Sequence, residues 1–85
     1  MRLPLIKSVG EFIAQNDEDY VIEAIELLEH IAQGSGIKDE ELEVIGELLS
    51  NFYGSLEVHK DVKSGTSQKD ALNNFMKRVM GSIDR

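Results

Sequence analysis

Apolar residues fall into four blocks along the chain, each with a helical period and each closed by polar or glycine-rich punctuation. In the first block Leu5, Ile6, Val9, Phe12 and Ile13 follow the i, i+1, i+4, i+7, i+8 spacing of one helical face, which predicts a helix over residues 4–15. Pro4 suits its first turn, where a missing N–H costs nothing. Gly10 lowers its propensity by about 1 kcal/mol, so this short helix needs tertiary contacts.

The second block opens at Asn16-Asp17-Glu18-Asp19. Asn16 or Asp17 can cap free N–H groups, and the acids suit the positive end of the helix dipole. The helix expected over 17–33 carries two adjacent apolar stripes, Val21-Ala24-Ile25-Leu28-Ala32 and Tyr20-Leu27-Ile31. Its polar strip, Glu23, Glu26, His30 and Gln33, is narrow. So wide an apolar surface predicts the central helix of a bundle, packed on more than one side. Gly34-Ser35-Gly36 ends it.

A third helix is expected over 38–63, with Asp39-Glu40-Glu41 in its first turn and Ile37 and Leu42 placed as a hydrophobic staple. Leu42, Ile45, Leu49, Phe52 and Leu56 repeat at 3-4-3-4, the seam of a packed helix pair. Unbroken, this helix is about 39 Å long, whereas a compact globule of this length is about 31 Å across. Either the helix bends near Gly54, or a second chain covers the overhang. Gly46, Ser50 and Gly54, four apart, line one side and admit a close helix approach, from the same chain or from another. Tyr53 lies beside them. Leu56-Glu57-Val58-His59 alternates like a strand, but it has no partner run and is read as helical.

Ser64-Gly65-Thr66-Ser67 closes the third helix, with Gly65 as a left-handed stop. Thr66 or Ser67 caps a last helix over 67–83, and Ser67-Gln68-Lys69-Asp70 approximates a capping box. Leu72, Phe75, Met76, Val79, Met80 and Ile83 form its apolar face. The fold expected is a single all-α domain over residues 1–85, a bundle of about four helices.

Size sharpens that picture. A chain of 85 residues makes one domain with a thin core, and such chains often rely on disulfides, metals or self-association. Cysteine is absent, which removes disulfides and thiolate sites and fits a reducing cytoplasm. Self-association is the remedy left. No apolar run approaches the roughly 20 residues of a membrane span, and no signal-peptide core is present. The net charge of −7 argues against nucleic acid. Acids dominate residues 11–47, while bases outnumber acids from Lys60 onward, so two copies could pair an acidic middle with a basic end.

Candidate chemistry is sparse. Glu26 and His30, with Glu23, share a helix face but form no metal motif, and are read as a solvated strip. His59 is read as a boundary or interface residue. The serines fall mainly at caps, turns or on a helix face, no glycine-rich phosphate loop is present, and the dense carboxylates read as exposed. Met76 and Met80 are core candidates that could also serve as an adaptable stripe. Lys77-Arg78 is too small a patch for nucleic acid. No catalytic residue and no cofactor is assigned.

From Val44-Ile45-Gly46-Glu47-Leu48-Leu49-Ser50-Asn51 the chain resembles the YejL-like family of small bacterial helical proteins. The likeness extends from Val21 to Ile83 through Ser67-Gln68-Lys69-Asp70-Ala71-Leu72 and Phe75. It implies an intertwined homodimer with Gly46 and Ser50 near the helix crossing, and no known activity. The chain departs from that pattern by an extra first helix, Leu3 to Gln15, and an insert, Glu57 to Gly65.

The leading expectation is a non-enzymatic homodimer acting through protein contacts, its interface drawn from Leu42, Ile45, Gly46, Leu49, Ser50, Phe52, Tyr53, Gly54 and Leu56. The alternative is an acidic adaptor or inhibitor that docks a basic protein partner through Glu23, Glu26, Glu40, Glu43 and Glu47. A metal-binding or enzymatic bundle comes last.

Overall fold

A computed structural model describes residues 2–83, with side chains up to residue 78. It contains four helices, α1 (Leu3–Gln15), α2 (Asp19–Ala32), α3 (Asp39–Lys63) and α4 (Gln68–Ile83), and no strand among the described residues. The all-α fold and the four helices stand where the hydrophobic period places them. The strand-like 56–59 run lies inside α3, which continues unbroken through Gly54.

Local chemistry sets the ends. Asn16 closes α1 by donating its Nδ2–H to the Phe12 carbonyl at 3.1 Å. Asp17 opens the next helix, its Oδ1 accepting the Asp19 N–H at 3.0 Å. At the start of α3 the Glu41 carboxylate accepts the Lys38 backbone N–H at 3.0 Å. Gly65, at φ +110°, ends α3 in a Schellman arrangement: its N–H reaches the Val62 carbonyl and the Thr66 N–H reaches the Asp61 carbonyl, each at 3.1 Å. Ser67 Oγ then accepts the Asp70 N–H at 3.2 Å and caps α4. In the 34–36 connection the left-handed residue is Gly36, at φ +83°.

The hub of the molecule is α3, which packs against α1, α2 and α4. This corrects the expectation that the second helix is central. On α2 the stripe of Val21 and Ile25 is buried, but Tyr20 and Leu27 of the second stripe are 59% and 60% exposed, and Ile31 is exposed too. The reason is on α3. A row along it, Val44, Leu48, Asn51, Ser55, Val58 and Val62, has spacing 4-3-4-3-4 and faces α1 over its second half. Its centre is polar, so its apolar period is broken in sequence although Asn51, Ser55 and Val58 are buried.

Two small clusters make the core. Ile6 of α1, Val58 of α3 and Ala71, Leu72 and Phe75 of α4 form one, with Met76 against it. Ile13 of α1 with Val21 and Ile25 of α2 form the other, against which Val9, Leu49, Phe52 and Leu56 pack. Between them, Asn51 and Ser55 lock α1 in place. The Asn51 Oδ1 accepts the Arg2 backbone N–H at 2.8 Å, and its Nδ2 donates to the Glu47 carbonyl at 2.6 Å. The Ser55 hydroxyl lies 3.3 Å from the Ile6 carbonyl and 2.8 Å from that of Asn51. No described buried side-chain polar atom lacks a partner. The pairing of residue 2 with 51 and of 6 with 55 makes α1 parallel to the second half of α3.

The result is flat. The molecule measures 43 × 35 × 17 Å, and its radius of gyration is 13.8 Å, against about 12 Å for a compact globule of this length. The second half of α3 has α1 over it. Beside its first half, among the described residues, lies only the second half of α2. The α2–α3 hairpin therefore projects as a two-helix arm.

Candidate interaction surface

The arm presents one continuous apolar face. On α2, Tyr20, Ala24, Leu27 and Ile31 recur at 4-3-4 and share a side. On α3, Val44 and Leu48 continue, beyond the start of α1, the row that α1 covers further along. Val44 is 60% exposed. Where this face meets α1 there is an open recess of about 390 Å³ between Val9 and Phe12, Tyr20 and Ala24, and Phe52. The Phe12 and Tyr20 rings meet edge to face at 5.8 Å beside it. A patch of this kind, apolar and rimmed by charge, marks contact surfaces in soluble proteins.

A second recess, of about 510 Å³, is an open depression lined by Glu18, Ile22, Leu56, Glu57, Lys60 and Lys63. Its charges of both signs are solvated. His59 stands nearby with Nε2 3.6 Å from the Glu18 carboxylate, a boundary position between α3 and the start of α2. Glu23, Glu26 and His30 are exposed on α2, and among the described residues no three His, Cys, Asp or Glu side chains converge to hold a metal. Tyr53 donates its phenol to the Glu29 carboxylate at 2.8 Å. That hydrogen bond, with lesser contributions from desolvation and the carboxylate charge, raises the phenol above its ordinary pKa. The phenol therefore stays neutral and donating through the neutral range, and the contact is lost only as pH rises through the raised value.

The chain belongs to DUF6952. The family is one of unknown function, and its model matches residues 1–84. No curated protein and no solved structure matches the chain. The DUF6952 match takes in α1 and residues 57–65, the two segments by which the sequence departs from the YejL-like pattern. The family shown is thus DUF6952, and the YejL-like resemblance of residues 44–51 finds no support beside it.

Within this DUF6952 chain the residues singled out from sequence separate into three groups. Leu49, Phe52 and Leu56 of the 3-4-3-4 seam pack against the Ile13, Val21 and Ile25 cluster of the same chain. Ile45 on the same side is half-buried, and Leu42 at its end is exposed. The small-residue row divides: Gly54 is buried, whereas Gly46 and Ser50 lie on the opposite, exposed side of α3 with Tyr53. A Cβ at Gly46 would meet nothing within 4 Å. The carboxylates divide as well. Glu40, Glu43 and Glu47 follow the i, i+3, i+7 line of α3 that leads on to Gly54 and Asp61, and Asp61 pairs with Arg78 of α4 at 3.5 Å. On α2, Glu23 lies opposite Ile25 and Glu26 at its flank, both exposed, so the five acids are divided between two helices. Met76 is half-buried against the first cluster; the side chains of Val79, Met80 and Ile83 lie outside the described residues.

Sequence reasoning missed Asn51 and Ser55 as the seat of α1, and Val44 and Leu48 as an open surface. The signal was present in the 4-3-4-3-4 row of α3, whose two polar members concealed it.

Proposed function

We propose that this protein is a non-enzymatic helical module that pairs with a second copy of itself and works through protein contacts. The observation that carries this is the ratio of inside to outside. Eight hydrophobic side chains are buried among the described residues, and ten large ones are exposed. A slab 17 Å thick has room for little more than one layer of helices with α1 laid on it. Adding a second copy is the physical remedy open to a short chain without cysteine.

The recess walled by Glu18, Glu57, Lys60 and Lys63 holds its charges in solvent rather than as a desolvated acid–base pair, which suits contact better than catalysis. No helix among the described residues is long and apolar enough to cross a membrane.

Sedimentation equilibrium across a wide concentration range tests the proposal. The expected result is a mass that rises from one copy to two. A mass of one copy at every concentration, with helices and cooperative unfolding intact, rejects it.

A further inference from the structure

The geometry points to the open face of the α2–α3 arm as the seat of the second copy, with the two arms packed face to face and antiparallel. This inference rests on the self-association proposed above and adds the surface and the register.

The first support is continuity. The row that α1 covers at Asn51, Ser55 and Val58 runs on to Leu48, which is half-buried, and Val44, which is exposed. The chemistry that seats one helix on α3 is therefore present, without its polar locks, for another element. Leu27 and Ile31 on α2 are likewise exposed. A pair of arms stacked on this face makes a four-helix layer structure in which all four residues are enclosed.

The second support is area. The first half of α3, about 12 residues, is about 18 Å long, and two helices packed side by side are about 20 Å wide. The face is thus on the order of 400 Å² in projection. Side-chain relief raises the accessible area above that, so two copies together remove about 1,000 Å², the lower bound of a specific interface.

The third support is charge. The tip of the arm carries Asp39, Glu40 and Glu41 beside the carboxyl end of α2. The open face stops at the start of α1, where Arg2 precedes the helix, Lys7 lies in its second turn, the first turn has no acid, and the positive end of the helix dipole is presented. Antiparallel arms bring each acidic tip against the partner's basic α1 start. Parallel arms would set acidic tip against acidic tip.

Val44→Glu and Leu27→Glu place a charge at the centre of the face, on residues exposed enough for the isolated chain to fold. Gly46→Glu, on the opposite side of α3, is the control. By sedimentation equilibrium each of the first two is expected to weaken dimerisation about thirtyfold or more, the effect of a central contact residue, with helical circular dichroism kept. The control should stay within about threefold of the parent. A charge swap tests the register: Arg2→Glu weakens the pair, and Glu40→Arg in the same chain restores it. A dimer that survives Val44→Glu and Leu27→Glu but is lost in Gly46→Glu overturns this face while leaving self-association standing. Equal loss in all three variants overturns it too, and a chain that never dimerises overturns both proposals.

Discussion

At Asn51 one side chain joins two helices. Its Oδ1 holds the first free N–H of α1 through Arg2, and its Nδ2 reaches back to the Glu47 carbonyl one turn earlier in α3. Asn51 is fully buried, so truncation opens a gap in the core and takes a hydrogen bond from its partly buried backbone partners. Asn51→Ala is expected to destabilise the fold by about 1–3 kcal/mol, read from the midpoint of urea unfolding. A midpoint equal to that of the parent would remove this residue from the account. The caps were legible in the sequence at this scale, because Asp17, Gly65 and Ser67 act within their own turns. Asn51 and Ser55 were not legible, since a polar residue on a helix reads as surface until the partner that buries it is known.

At the scale of elements, period and punctuation give four helices with ends close to those observed. They do not say which helix is the hub. The broad apolar surface of α2 is consistent with burial on two sides or with one side left bare, and only the position of α1 decides. The same holds for Gly46. In sequence its spacing from Ser50 and Gly54 suggests a close helix approach, yet the structure leaves its surroundings open. A glycine inside a helix with room for a side chain costs conformational entropy and gains nothing in packing. Gly46→Ala should therefore stabilise the protein by about 0.5–1 kcal/mol, seen as a higher thermal midpoint with an unchanged dimer constant. A loss of stability or of dimer in that variant would mean that another backbone approaches this side of α3 after all.

For the whole molecule, the thin slab makes stability uneven. The second half of α3 is held by both core clusters and by α1, whereas the first half is held by α2 and flanked by water on the face of Val44. Local opening follows the density of buried contacts, so the two halves of one continuous helix should open at different free energies. In dilute solution, amide exchange over 42–48 is expected to be faster than over 54–60 by about tenfold or more. Mass action then makes a further demand. A second copy that binds the closed arm stabilises it as concentration rises, while the half already covered by α1 gains less. The gradient along α3 should therefore flatten with concentration, and in Val44→Glu it should persist at every concentration. A gradient indifferent to concentration in the parent protein would show that the arm stays uncovered, and self-association through this face would have no physical role in completing the fold.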